Sequence, residues 1–194
     1  MRIIAGELRG RLLKTRAGRD VRPTSDKLRG TLFNILRAEV PGSVFIDCYA
    51  GSGAVGLEAV SRGAAQVYLI EQEPSAARIL EENISAFRAS PGVSTKARLV
   101  RSDVRAALRK LEAQGVRANI CFLDPPYAAL AEAIRNLSWL ATSSLLEPQG
   151  LIILEHSRKD VSPDRIGTEA RPWKRTRLLE QGSSALSFYL LRRE

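Results

Sequence analysis

From residue 44 onward the chain repeats one unit: a short apolar run, a turn marked by Gly or Pro, then apolar positions three and four apart. The runs at 44–47, 67–71, 97–100, 119–123 and 151–154 predict five buried strands. The stretches between them predict helices over about 55–62, 74–87, 104–114 and 128–140. Gly63 stops the first of these, and Pro74 sits where a helix tolerates a missing N–H. Strands that are apolar on both faces and alternate with helices predict a parallel sheet covered on both sides. The tail breaks the pattern. Runs at 175–180 and 185–190 flank Gln181-Gly182-Ser183-Ser184 with no room for a helix, so they should pair as an antiparallel hairpin at one sheet edge.

The beginning differs too. Residues 1–22 mix short apolar pieces with Arg, Lys and Gly, which predicts a small basic hairpin or arm. Thr24 or Ser25 can then cap a helix over about 26–39, with Leu28, Leu32, Phe33, Ile35 and Leu36 inward. The expected fold class is α/β: a mostly parallel sheet with helices on both faces and a C-terminal antiparallel hairpin. At 194 residues it should be one domain, with the arm at 1–22 and a core at 23–194.

Charge separates the ends from the middle. Residues 1–40 carry ten Lys/Arg against four Asp/Glu, residues 41–157 eleven against twelve, and residues 158–194 nine against five. The near-neutral middle suits a catalytic core, and the basic ends suit a polyanion such as nucleic acid. A basic face kept only for solubility is the alternative. Arg9, Arg11, Lys14, Arg16 and Arg22 are the candidate RNA contacts. No apolar run approaches the length needed to cross a bilayer, and the first residues lack the long apolar core of a signal peptide. A cytoplasmic protein with no membrane partner is expected. Cys48, Cys121 and the sole histidine, His156, give no metal-ligand spacing; both thiols should be buried and reduced, and His156 structural.

Two segments carry candidate chemistry. Asp47-Cys48-Tyr49-Ala50-Gly51-Ser52-Gly53-Ala54-Val55-Gly56 joins the first core strand to its helix, and its glycines satisfy G-x-G-x-x-G. Asp47, Ala50, Gly51, Gly53, Glu71 and Asp103 are the candidate cofactor residues, the three acids lying at strand ends. A dinucleotide would bring phosphate beside Asp47. S-adenosylmethionine brings a sulfonium and an ammonium, which an acid suits better. Glu71 can accept from ribose hydroxyls with either ligand, and Asp103 from an adenine amine.

Asp124-Pro125-Pro126-Tyr127 follows the fourth strand. Prolines there stop a ladder, which explains them but not the flanking Asp and Tyr. A carboxylate and a rigidly aimed carbonyl can accept both hydrogens of an exocyclic base amine and direct its lone pair to a methyl. Tyr127 can stack on the base. A paired base could not reach such a pocket, so the target should be flipped or looped out. Asp124, Pro125, Pro126 and Tyr127 are the candidate catalytic set, with Asp124 also beside the cofactor.

Together these segments resemble the Rossmann-like class I methyltransferases that act on base amines. More narrowly the chain is similar to the bacterial 16S rRNA (guanine-N2)-methyltransferase family, through Met1 to Gly6, Arg22-Pro23-Thr24, Phe33 to Leu36, Tyr49 to Ala54, Gly56 to Ala59, Ser61 to Ala64 and Asp124 to Tyr127. The resemblance implies S-adenosyl-L-methionine at Asp47, Gly51, Gly53, Glu71 and Asp103. It also implies a guanine amine held by Asp124 and the next carbonyl, and 16S rRNA in a partly or fully assembled small subunit as substrate, with the enzyme a monomer. The family usually has an acid after Arg29, where this chain has Gly30. A DNA adenine-N6 methyltransferase, an NAD-linked oxidoreductase and a silent rRNA-binding assembly factor are the alternatives. The shared cleft that methyl transfer needs would bring Asp124 and the bend at 51–53 together.

Overall fold

Parallel strands form at the continuous apolar runs, and the intervening helices where apolar positions fall three and four apart. The computed structural model describes residues 1–15, 26–88 and 96–191. Their contacts fall into two units, Met1–Asp103 and Val104–Glu194.

In the first unit, α1 (Asp26–Ile35) precedes β1 (Val44–Asp47), α2 (Ala54–Ser61), β2 (Gln66–Glu71), α3 (Pro74–Arg88) and β3 (Ala97–Arg101). β2 pairs with both β1 and β3, in parallel. The register sets Asp47 beside Leu69 and Glu71 beside Arg101, so β2 and β3 end together and β1 stops two residues short of them. α1 is shorter than the expected 26–39: Leu36 and Val40 continue as turns that close on Leu32 and Leu36. Its inward face is as expected at Leu28, Leu32, Phe33 and Leu36, with Ile35 half-buried. Phe33 stacks on Phe45 of β1 at 6.3 Å between ring centroids. Gly56 lets α2 lie close on β2, because a Cβ there would meet Leu69 Cδ2 at 2.6 Å.

The N-terminal arm is a hairpin over its described part. Arg2 bridges Leu12 antiparallel, and the amides of Ile3 and Leu13 donate to the carbonyls of Arg11 and Met1. Ile3, Leu8 and Leu13 point inward while Arg9, Arg11 and Lys14 are exposed. Arg16, Arg22 and the Thr24/Ser25 cap lie outside the described residues.

The second unit holds α4 (Val104–Ala113), β4 (Ala118–Leu123), α5 (Leu130–Thr142) and β5 (Leu146–Ser157), then β6 (Arg165–Thr168), β7 (Arg171–Gln181) and β8 (Ser184–Leu191). β4 and β5 are parallel; β5–β8, β8–β7 and β7–β6 are antiparallel. β5 starts five residues earlier than its apolar run. Ala118 pairs with Leu146 but Ile120 with Leu151, so a bulge absorbs the polar 147–150 segment. The tail hairpin turns through Gly182 (φ 63°) and Ser183 alone, the two-residue turn that suits strand twist. β6 is a strand with no forecast in the apolar pattern. Trp173 of β7 is fully buried and donates its indole N–H to the Ala141 carbonyl at 2.9 Å, closing β7 over α5.

Candidate active site

Asp47 ends β1 with its carboxylate 1 % exposed, and Oδ2 accepts the Gly56 amide at 3.0 Å. That bond spans the bend and draws the first turn of α2 toward the strand end. Inside the bend the Ala50 amide donates to the Ile70 carbonyl at 2.9 Å and the Gly53 amide to the Ala50 carbonyl at 2.7 Å. Both glycines need the left-handed region, Gly51 at φ 53° and Gly53 at φ 86°. Nothing lies within 4 Å of where a Cβ of Gly51 would stand, whereas one on Gly53 would meet Leu80 Cδ1 at 2.4 Å. Gly51 thus serves the turn and an open approach; Gly53 serves the turn and the packing of α3.

Glu71 is fixed from the same bend. Its Oε2 accepts the Gly51 amide and Oε1 the Glu73 amide, both at 2.8 Å. Two backbone N–H groups fix the orientation of the carboxylate. Each oxygen keeps a lone pair that can accept from a diol. Asp103 is exposed, two residues past Arg101 and directly before α4. Asp47 through Gly56, Ala50 through Gly53 and Ile70, and Glu71 through Gly51 are each tied to the bend by hydrogen bonds, and Asp103 lies two residues past β3, which pairs with β2.

In the second unit Asp124 is half-buried just beyond β4. Pro126 has φ −58° and ψ 148°, and its carbonyl accepts the Ala129 amide at 2.7 Å, starting a single 3-10 turn over Tyr127–Ala129. The prolines thus do more than end the strand: they aim the chain outward and launch α5. Tyr127 is 65 % exposed, an aromatic face turned to solvent.

The basic arm is more tightly held than its composition suggests. Glu58 of α2 is fully buried and accepts the amides of Ile4 (2.7 Å) and Ala5 (3.0 Å) and Arg62 Nε (2.7 Å). The buried Arg29 guanidinium lies 3.9 Å from it and donates Nη2 to the Arg2 carbonyl. Ser61 accepts the Leu8 amide and donates to the Ala5 carbonyl. On α3, Asn83 pairs with the Lys14 backbone, Lys14 Nζ reaches Glu82 Oε2 at 2.8 Å, and Arg11 lies over Phe87 and donates to the Ala86 carbonyl. Two of the candidate RNA contacts therefore already have protein partners, and Arg9 is the exposed one for which no such contact is described. A hollow of ≈ 290 Å³ is lined by Arg2, Ile3, Ile4, Arg9, Gly10 and Asp26, none of them a candidate cofactor or catalytic residue. Sequence reading passed over Glu58, Ser61 and Asn83. The signal for Glu58 was its place as the lone charge in Ala54–Ser61; for Asn83 it was a polar side chain in the apolar row Leu80, Ile84, Phe87.

His156 is structural, as expected: it is buried, with Nδ1 on the Ser157 carbonyl and Nε2 on Ser187 Oγ. Cys48 and Cys121 are buried and free, and burial pushes the Cys121 thiol far up. Among the described residues no helix is long and apolar enough to cross a membrane.

The chain is similar to known proteins in sequence and in fold. The family model described as "Conserved hypothetical protein 95" matches residues 1–190. The ribosomal RNA small subunit methyltransferase D of Escherichia coli K12 is 40 % identical over 151 residues, 75 % of this chain and 72 % of that protein. A hypothetical protein of Thermus thermophilus is 35 % identical, with TM-score 0.79 over 98 % of this chain and 99 % of that one. An RNA methyltransferase from Salinibacter ruber, solved with S-adenosyl-L-homocysteine, shares the fold at 16 % identity, with TM-score 0.62 over 89 % of this chain and 95 % of that one. The chain belongs to the Conserved hypothetical protein 95 family, alongside ribosomal RNA small subunit methyltransferase D.

Proposed function

We propose that this protein transfers a methyl group from S-adenosyl-L-methionine to the exocyclic N2 amine of a guanine in 16S rRNA. The observation that carries the reading is the segment after β4: a carboxylate at Asp124, a rigid Pro-Pro bend and the solvent-facing Tyr127. Its relative at 40 % identity is a methyltransferase of small-subunit ribosomal RNA, which favours RNA over the DNA alternative and methyl transfer over the oxidoreductase.

The bend fits a cationic donor. Asp47 and Glu71 put two carboxylates at adjacent strand ends, and the open space over Gly51 admits a ligand against the backbone. A pyrophosphate would meet those charges unfavourably. S-adenosylmethionine supplies a methyl group already activated by its sulfonium. The chain contributes position. Glu71, held by two amides, would accept hydrogen bonds from the ribose hydroxyls; Asp47 would favour the positive end of the donor; Asp103 would accept one from the adenine amine. Asp124 and the Pro125 carbonyl would each accept a hydrogen bond from the guanine amine, which frees its lone pair for attack. Tyr127 sets the plane of a base taken out of its stack. Such orientation supplies most of the rate enhancement.

The substrate form is a small subunit partly or fully assembled, met by the arm through Arg9 and the outer faces of Arg11 and Lys14, with Arg16 and Arg22 as further candidates from the sequence. The enzyme acts as a monomer in the cytoplasm. Incubating the protein with 16S rRNA transcript, with assembled small subunits and with labelled donor, then digesting to nucleosides for mass spectrometry, tests the reading. N2-methylguanosine is the expected product. N6-methyladenine, or no methylated nucleoside with either substrate, refutes it.

A further inference from the structure

Asn83 joins two places that no residue near it in sequence connects. It lies on α3, 2 % exposed. Its Oδ1 accepts the Lys14 amide at 2.9 Å and its Nδ2 donates to the Lys14 carbonyl at 3.0 Å, so the side chain grips one arm residue as a neighbouring strand would. The remaining Nδ2 hydrogen goes to the Ser52 carbonyl at 2.8 Å. Ser52 stands between Gly51 and Gly53, the two left-handed residues of the bend. Every hydrogen the amide can donate is committed, one to the arm and one to the bend.

We propose that Asn83 is a positioning residue that couples the donor bend to the RNA-binding arm. The inference rests on the methyltransferase reading above. A buried amide with both donors used resists rotation, because turning it leaves polar groups unpaired away from water. The Ser52 carbonyl and the Lys14 backbone are therefore fixed as one piece. Donor that orders the bend orders the arm as well, and RNA that orders the arm meets a bend already set. The coupling must be reciprocal. Aspartate could replace the Oδ1 contact but would turn an anionic oxygen toward two carbonyls, so asparagine is the fitting residue.

Filter binding of 16S rRNA transcript, with and without S-adenosylhomocysteine, reads the coupling. In the wild type the donor product tightens RNA about fivefold or more, within the usual span of such effects. In Asn83→Ala the ratio falls toward one while both ligands still bind; Asn83→Asp behaves alike. A ratio in Asn83→Ala equal to that of the wild type, or a wild-type ratio of one, overturns the proposal. Should the variants not fold, hydrogen exchange on the wild type decides it. Saturating S-adenosylhomocysteine slows exchange of the Lys14 amide, and an unchanged Lys14 rate overturns the coupling. Wild-type protein that binds no S-adenosylhomocysteine fells the methyltransferase reading, and this inference with it. Binding and N2-methylguanosine formation without coupling fell the role of Asn83 alone.

Discussion

Glu58 shows how one side chain can fasten a segment more than fifty residues away. Its carboxylate serves Ile4, Ala5 and Arg62 and faces Arg29, whose guanidinium is wholly buried. Removing it leaves the Ile4 and Ala5 amides without their acceptor and takes one of two carboxylates from the buried Arg29, whose Nη2 still meets Asp26 Oδ1 at 3.0 Å. Glu58→Ala is therefore expected to lower stability by about 3–5 kcal/mol, the usual cost of breaking a buried pair from one side. Urea unfolding measures it, and a loss no larger than that of a surface substitution contradicts the argument. Asp124 has the opposite profile: half-buried, at a strand end, and proposed to act on substrate. Asp124→Ala should reduce methyl transfer by about 10²-fold or more, the scale set by deleting one oriented polar group from a reaction centre. S-adenosylhomocysteine affinity, read by calorimetry, should change far less. Parallel losses in both would mean that Asp124 holds the donor and leaves the amine to other groups.

At the scale of elements, helices and core strands were legible because burial on one or both faces imposes a period that sequence displays directly. The acids of the candidate site were legible for the same reason: once strands are located, residues at their carboxyl ends are known, and Asp47, Glu71 and Asp124 all stand there. β6 was not legible, since Arg-Ile-Gly-Thr is short and half-polar and takes its strand form from pairing with β7. The early start of β5 was hidden by the bulge opposite Ala118. Nor could the anchoring of the arm be read, because Lys14, Ser52 and Asn83 meet only after the chain has folded. α1 offers a test of element energetics at Gly30. The position is helical and an added Cβ would have as its nearest neighbour Ile4 Cδ1 at 4.0 Å, ordinary contact. Gly30→Ala should stabilise the protein by about 0.5–1 kcal/mol, through helix propensity and a less disordered unfolded chain. A fall in melting temperature would mean that the helix needs the glycine for closer packing than these contacts indicate.

For the molecule as a whole, two responses to solvent follow from where charge and burial lie. Burial raises the pKa of the Cys121 thiol from its ordinary 9.0, and burial likewise raises that of the Tyr189 phenol. Both groups hold their protons more tightly folded than unfolded, so their contribution is complete below pH about 9 and is lost as alkali ionises the unfolded chain. Stability should fall with rising pH above that point, and Cys121→Ala should flatten the decline even if it lowers stability at neutral pH. An equal alkaline slope in both proteins excludes Cys121 as a cause. Salt separates the two proposed ligands. The net charge of +9 resides at the basic ends, while residues 41–157 are near neutral. RNA bound through the ends releases counterions, so its affinity should fall linearly in log–log terms as salt rises, by about 0.7–0.9 in slope for each phosphate neutralised. S-adenosylhomocysteine, bound within the neutral middle, releases almost none and should keep its affinity across the same range. Arg9→Ala should weaken RNA binding and lower the salt slope by about one, leaving donor affinity unchanged. An RNA affinity indifferent to salt would remove the arm from the interface, because no arginine can neutralise a phosphate without displacing the ions that had done so.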